Sequence, residues 1–307
     1  MNIRKYFWFK YVREFLSKLH VLVDAEGEID RYYYQAFKKH ANLKEPKDLI
    51  EKIYWMELHT DTSMWTLCAD KYRIREYISD LGLIQYMPKL YGKWDKASDV
   101  DFDKLPNSFV IKSNNGCATV KVVTDKTSLN IKKFRNTLWQ WLHLPYGYQN
   151  CQLHYTKIKP CIIAEELLDN DYPDISPASL VDFKVYCING EPQFIWVAYN
   201  RINMHVHVQC FDTKWTPKPD YLKNGMSHYV YDPNDKVIEK PQCLEELLDV
   251  ARKISAPFPQ LRADFYIVKG KPIIGEMTFT QGYGFLEKDV YDRLGDMINL
   301  GEIEKIR

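Results

Sequence analysis

Residues 261–284, LRADFYIVKGKPIIGEMTFTQGYG, decide how this chain is read. Leu261 to Val268 alternates and is rich in Phe, Tyr and Ile, Lys269-Gly270-Lys271-Pro272 has turn chemistry, and Ile273 to Phe279 runs back. The stretch therefore predicts a β-hairpin. Arg262 and Asp264 lie on the outgoing strand, Glu276 and Thr278 on the return. With a loop of odd residue count, such as 269–271, Asp264 stands opposite Glu276 and Arg262 opposite Thr278, all on one face. A loop of even count would put the partners on different faces, so the juxtaposition depends on the turn. Where it holds, the two carboxylates have β-carbons about 5 Å apart, and they repel unless positive charge lies between them. A hard divalent cation such as Mg2+ takes oxygen ligands and usually completes its shell with substrate phosphates. Arg-x-Asp followed by Glu-x-Thr is thus a candidate Mg-nucleotide site, and the plainer reading is an amphipathic hairpin whose charges face water.

At 307 residues the chain can bury a large core and has room for two or three lobes. A composition of 46% hydrophobic and 27% charged residues excludes wholesale disorder. The 42 basic and 41 acidic residues nearly cancel, and no Lys/Arg block exceeds two residues, which argues against a nucleic-acid partner bound through a basic field. The 22 tyrosines fit a chain of many strands and half-buried surfaces. Seven scattered cysteines without a CxxC suggest reduced thiols in the cytosol rather than a disulfide framework or a zinc site. His205-x-His207 could set two imidazoles on one strand face, but no third ligand stands nearby.

Residues 1–22 read as an aromatic, basic amphipathic helix. Arg4, Lys5, Lys10, Arg13 and Lys18 interrupt it too often for a membrane span or a signal-peptide core, leaving a helix packed on its domain or one lying on an anionic membrane. Helical periodicity follows over 29–90, with Leu49, Ile50, Ile53 and Tyr54 on one stripe. Asp70 is expected to cap the next helix, and Gly82 to end it. Lys71 falls in the first turn, where a cation makes electrostatic sense if an anion binds close by. Phe109 to Lys112 predicts a strand, Ser113-Asn114-Asn115-Gly116 a tight turn with Gly116 free to take positive φ, and Cys117 to Val123 a second strand. Backbone N–H groups in such a turn can face phosphate oxygens, with Lys112 adding a point charge. Cys161 to Leu168 is an apolar strand ending in Glu165 and Glu166. Val181 to Ile188, the Asn189-Gly190 turn and Pro192 to Ala198 form another hairpin, with Asp182 and Lys184 on one face. Residues 203–238 look irregular, Leu244 to Ile254 helical, and 285–307 a terminal helix.

In this order the segments resemble the ATP-grasp superfamily, and more closely its TupA-like branch, associated with teichuronopeptide and surface-polysaccharide biosynthesis. The residues carrying the likeness are Ala69-Asp-Lys-Tyr-Arg-Ile-Arg-Glu-Tyr, Leu105-Pro-Asn-Ser-Phe-Val-Ile-Lys-Ser-Asn-Asn-Gly, Ile163-Ala-Glu-Glu, Asp182-Phe-Lys-Val-Tyr-Cys-Ile-Asn-Gly and Arg262-Ala-Asp-Phe-Tyr with Gly275-Glu-Met-Thr-Phe. The resemblance implies an α+β fold: two lobes clasping ATP, preceded by a mostly helical region, divided as 1–107, a lid at 108–160 and a metal-bearing part at 161–307. It implies that Lys71 and Lys112 contact the phosphates, Ser113 to Gly116 cover them, and Glu165, Glu166 and Leu167 hold adenine and ribose. Lys184 would add charge at the phosphates, Asp264, Glu276 and Thr278 would hold Mg2+, and Arg262 would stabilise the transferring phosphoryl group. Many superfamily members carry Asn at the place of Thr278, and branch members carry His-Gly where Asn115-Gly116 stands. The implied activity is that of a cytoplasmic ATP-dependent carboxylate-amine ligase releasing ADP, its substrate pair an amino acid and a sugar or uronic acid, and the helix at residues 1–22 leaves room for peripheral membrane association. A glycan kinase using the same site, or a non-catalytic nucleotide-binding scaffold, are the alternatives. The substrate pocket is expected along 200–238 and near Tyr77 and Tyr283.

Overall fold

The computed structural model describes residues 3–202, 205–223 and 228–305. Residues 1–2 of the N-terminal stretch, 203–204 and 224–227 of the expected pocket segment, and 306–307 of the tail lie outside the described residues. The helices that open the chain are α1 (Ile3–Val23), α2 (Ala25–Phe37), α3 (Leu49–His59), α4 (Ser63–Ala69) and α5 (Ile74–Asp80). The start of α3 is set by a capping box: Asp48 accepts from Glu51 N at 2.9 Å while the Glu51 carboxylate accepts from Asp48 N at 3.3 Å. Gly82, at φ 69°, follows α5 as expected, although the piece beyond it is a short 3-10 turn over Ile84–Tyr86 and not extended.

The chain divides into two compact units, one made of Met1–Tyr32, Asp61–Tyr77 and Pro88–Leu167, the other of Tyr33–Thr60, Ile78–Met87 and Leu168–Arg307. The first unit is built on a four-stranded sheet, ordered β1 (Leu90–Trp94), β4 (Ile162–Glu165), β2 (Phe109–Ser113), β3 (Val120–Val123). One sheet face carries Phe109, Ile111, Ile162 and Ala164, buried together with Leu138 of α6 (Ile131–Leu142). Period-two alternation then leaves Lys112 and Glu165 on the opposite face. Short α7 (Leu153–Thr156) completes this unit's helices. Strand β1 is an addition to the sequence reading, and the second strand of the turn pair begins at Val120 and not at Cys117.

The second unit holds a six-stranded sheet, ordered β10 (Lys271–Thr278), β9 (Gln260–Val268), β5 (Asp182–Ile188), β6 (Glu191–Ile202), β7 (His205–Asp212), β8 (Tyr229–Val230). Strand β7 occupies part of the stretch expected to be irregular, and β6 runs on past the expected Ala198 through Arg201. Helix α8 (Leu244–Ser255) lies against β5, β6 and β9, and Ser255 Oγ donates to the Gly190 carbonyl beyond the end of β5 at 3.2 Å. It therefore covers the face bearing Phe183, Val185 and Cys187. Its Leu244, Leu247, Leu248 and Ile254 are all 2% exposed or less, each burial contributing about 1.5–3 kcal/mol. The face carrying Lys184, Arg262 and Asp264 is the other one. The tail contributes only a short α9 (Lys288–Asp296) and a 3-10 turn at Leu300–Glu302.

Candidate active site

The organising hairpin forms, but by a different route from the one its sequence suggests. Its loop is the two residues Lys269 and Gly270, at φ 53° and 71°, the left-handed pair that a tight hairpin turn requires. The Asp171 carboxylate fixes this turn by accepting from Lys269 N and Gly270 N, each at 2.8 Å. An even loop pairs Ile273 with Tyr266 and Ile274 with Phe265, a register that would have sent Asp264 and Glu276 to different faces. A β-bulge at Gly275 then inserts one residue, and from there Glu276 pairs with Asp264 and Thr278 with Arg262. The expected juxtaposition is present because the bulge corrects the parity of the turn.

On this face Asp264 is 5% exposed and held from two sides. Arg262 donates from Nε to Oδ1 at 2.7 Å and from Nη2 to Oδ2 at 2.8 Å, and Lys184 donates from Nζ to Oδ2 at 2.7 Å. Burial alone would raise the Asp264 carboxyl, but the Arg262 guanidinium and the Lys184 ammonium outweigh it and hold the group below the ordinary carboxylate range. Lys184 moves the other way: burial pulls it down, while Asp182, 3.6 Å from it, and Asp264 raise it above its usual value. The Asp182 carboxylate also meets Arg201 at 3.1 Å and, with burial second, pushes the Tyr266 phenol well up. Thr278 Oγ1 accepts from Arg262 Nη2 at 3.2 Å. Glu276, half-buried beside Asp264, completes three carboxylates and three cations on one sheet face.

The first unit repeats the device in a smaller form. Glu165 is 3% exposed; its Oε1 accepts from Arg75 Nη2 at 2.9 Å and its Oε2 lies 2.5 Å from Lys112 Nζ. Arg75 also donates to the Pro88 carbonyl at 2.6 Å. The sequence reading assigned Arg75 no role, although it stands in the same Asp-Lys-Tyr-Arg-Ile-Arg run as Lys71, which lies in the turn before α5 and not in the helix's first turn as expected. Glu166 pairs at the strand end instead, accepting from Lys89 N at 2.7 Å, and Leu167 is half-buried beyond it.

The small-residue loop is packed rather than open. Ser113, Asn114 and Asn115 are buried at 1–4% exposure. The Asn114 amide accepts from Cys161 N at 2.7 Å and donates to the Lys159 carbonyl at 3.0 Å, while Ser113 Oγ and Thr119 Oγ1 share a 2.6 Å hydrogen bond. Lys71 donates from its backbone to Asn114 O at 3.0 Å and from Nζ to Gly116 O at 3.1 Å. Asp70 accepts from Tyr72 N and Arg73 N at 2.8 and 3.2 Å, capping the turn that leads into α5. Gly116 does not take the positive φ expected of it; Ala118 does, at φ 60°. The glycine serves close packing instead, because a β-carbon there would stand 2.6 Å from Thr119 Oγ1 and 3.0 Å from Ser113 Oγ. His207 Nδ1 pairs with Asp235 at 2.6 Å, and among the described residues no group of three or more His, Cys, Asp or Glu is placed to hold a metal.

A family model described as TupA-like ATP-grasp matches residues 51–299. The chain belongs to the TupA-like ATP-grasp family. Its α+β architecture, a helical N-terminal region followed by two sheets, is accordingly an ATP-grasp fold. No curated protein matches it. Among solved structures it is similar to a D-alanine–D-alanine ligase from Bacillus anthracis complexed with ATP, at 16% identity over 82% of this chain and 72% of that chain, with a TM-score of 0.46. It is also similar to the D-alanine–D-alanine ligase of Helicobacter pylori, at 13% identity over 82% and 67% of the two chains and a TM-score of 0.43. The ATP-grasp ligase PsnB complexed with a precursor variant, Mg and ADP gives 13% identity over 81% and 64%, with a TM-score of 0.39.

The donor set can be tested against the Mg2+ that an ATP-grasp protein implies. Magnesium is usually held by one or two carboxylates, with phosphates and water completing the shell. Asp264 and Glu276, directly paired across β9 and β10, with the Thr278 hydroxyl one pair further along, are hard oxygen donors of that kind. The donor types fit the ion, although both Asp264 oxygens already accept from Arg262 and Lys184, so Mg2+ would have to share or displace these bonds.

Proposed function

We propose that this TupA-like ATP-grasp protein is an ADP-forming ligase that joins a carboxylate to an amine through an acyl-phosphate. The observation that carries the reading is the Lys184–Asp264–Arg262 cluster directly beside Glu276 and Thr278 on one sheet face. Asp264 and Glu276 would hold Mg2+ with Thr278 beside them; the ion would neutralise phosphate charge there. Lys184, raised by its two aspartates, stays cationic at any physiological pH and is suited to a phosphate oxygen. Arg262, oriented through two bonds to Asp264, is suited to the charge that develops on a transferring phosphoryl group. Phosphoryl transfer needs mostly positioning and neutralisation, which such a cage supplies.

In the first unit Lys112, Lys71 and the loop Ser113, Asn114, Asn115 and Gly116 would meet the nucleotide phosphates. Glu165 would orient Lys112, and Glu166 and Leu167 would border the base and ribose. Family likeness supports an amino acid and a sugar or uronic acid as the pair joined, in surface-polysaccharide biosynthesis, at work in the cytoplasm where ATP is made.

The test starts with thermal unfolding in Mg2+ and a non-hydrolysable ATP analogue. Ligand at about 100 times its Kd should stabilise the fold by roughly 2.7 kcal/mol, several degrees for a chain of this size. The shift should require Mg2+ and vanish in Asp264→Asn plus Glu276→Gln. ADP release that needs both a carboxylate and an amine supports the ligase; release with a hydroxyl acceptor alone makes the protein a kinase; no shift at millimolar nucleotide sinks both.

A further inference from the structure

Helix α1 turns two chemically different faces outward and inward. Its inner face is held by its own unit. Glu14, 2% exposed, accepts from Tyr148 N at 3.1 Å and Gln149 N at 2.9 Å, Ser17 is 6% exposed, and Lys10 Nζ donates to the Cys117 carbonyl at 2.7 Å. The outer face carries Trp8, Phe9, Val12, Phe15, Leu16 and Leu19, each between 46% and 59% exposed, and continues to Leu22 at 69%. That spacing spreads them over roughly 140° of the helix circumference, a continuous apolar stripe and not scattered surface residues.

Charge decides what covers the stripe. By sequence α1 carries Arg4, Lys5, Lys10, Arg13 and Lys18 against a single acid, Glu14, and that acid is buried toward the protein. Helical spacing sets Arg13 and Lys18 at the two edges of the stripe, and the Arg13 guanidinium lies 5.7 Å from the Phe9 ring centre. A second copy docking here would bring cations against cations with no exposed acid of α1 to receive them. An anionic lipid surface supplies apolar depth and negative charge together. No helix among the described residues is long and apolar enough to cross a membrane, so the contact is one of lying in the interface.

We propose that α1 docks this protein on an anionic bilayer, with the Trp8–Leu22 stripe in the headgroup boundary and Arg13 and Lys18 at its rim. The loop end at Cys117, tied to the inner face by Lys10, is then carried next to the membrane-bound helix. This rests on α1 alone and is independent of the reaction assigned above.

Sedimentation of the full chain with vesicles tests it, using phosphatidylcholine alone and phosphatidylcholine mixed with phosphatidylglycerol. Wild type should sediment with the mixed vesicles, stay behind with the neutral ones, and be released by high salt. Arg13→Glu changes two charge units at the rim, each worth about fivefold near an anionic surface, so partitioning should fall roughly twenty-five-fold. Phe9→Glu with Leu16→Glu should abolish binding while the unfolding midpoint stays at the wild-type value. Wild type left in the supernatant with mixed vesicles, or sedimenting equally with both, overturns the proposal. So does a lipid-free dimer that Phe9→Glu with Leu16→Glu disperses, which would assign the stripe to a second copy.

Discussion

Glu165 and Asp264 are both buried carboxylates clasped between two cations, yet their surroundings lead to opposite chemistry. Glu165 stands alone with Lys112 and Arg75, so its cluster carries an excess of positive charge. Asp264 shares its face with Asp182 and Glu276 as well as Lys184, Arg262 and Arg201, so charge there is balanced. A site in positive excess attracts an anion. A balanced site whose carboxylates stand side by side becomes favourable for an anion only once a cation joins it. The difference suits the first cluster to bare phosphate and the second to phosphate accompanied by Mg2+.

The largest effect should come from removing the acid at the balanced site. Asp264→Asn weakens three charge-assisted hydrogen bonds from Lys184 and Arg262 and leaves Lys184 only Asp182, 3.6 Å away, a loss expected to cost about 3–5 kcal/mol of stability. Glu165→Gln weakens two such contacts instead of three, to cations whose side chains remain 15% and 17% exposed, so water recovers part of the loss and about 3 kcal/mol is expected. Chemical denaturation of both variants checks the ranking; a Glu165→Gln loss exceeding that of Asp264→Asn would break the comparison.

Acid sharpens it. Asp264 has a folded value below its ordinary one, so its stabilisation is present above the unfolded value of about 3.9 and disappears as pH falls through the folded value. The stability gap between wild type and Asp264→Asn should therefore stay constant from pH 7 to about 5 and close below about 4. A gap that persists into strong acid would mean that the aspartate acts by shape and not by charge.

Much of this was legible in the chain. Alternation located β9, a continuous apolar run β4, and strand-type residues beside tight turns β2, β5 and β10, with the left-handed turns at Asn189-Gly190 and Lys269-Gly270 marking two hairpins. Strand β1 was not legible because Leu90-Tyr-Gly-Lys-Trp is short, holds a glycine and is buried nowhere along its length, so it lacks an alternation signal. Strand β7 alternates as His205-Val206-His207-Val208, but the Pro-, Asn- and Asp-rich residues after it make the stretch as a whole read as irregular. The site's polar residues announced themselves by type and spacing, but Arg75 did not, since its meaning comes from meeting Glu165 across 90 residues of sequence. The bulge was harder still: one glycine in a strand can mark a bulge or nothing, and only tertiary pairing tells which.

Two glycines turn the comparison into a test of packing. Neither Gly275 nor Gly116 has a positive φ, so alanine at either place is judged by what its β-carbon meets. At Gly275 it would stand 2.9 Å from the Tyr266 ring and 3.3 Å from the Asp264 carbonyl, one rigid neighbour and one backbone atom in the strand that carries the acid. Relief requires the bulge to open, which moves Glu276 relative to Asp264. Gly275→Ala should cost about 1–3 kcal/mol and weaken the Mg-dependent nucleotide shift. At Gly116 the close neighbours are the Thr119 and Ser113 hydroxyls, with the Thr119 methyl at 3.3 Å behind them, side-chain atoms that can turn away only by giving up the buried hydrogen bond they share, about 1–3 kcal/mol. Alanine returns roughly 0.4–1 kcal/mol by restricting the unfolded chain, so Gly116→Ala should cost about 1–2 kcal/mol, less than Gly275→Ala. Denaturation of the pair separates the cases: a large loss at Gly116 would mean that the loop's hydroxyls are as fixed as the bulge, and the first unit would then be no softer than the second.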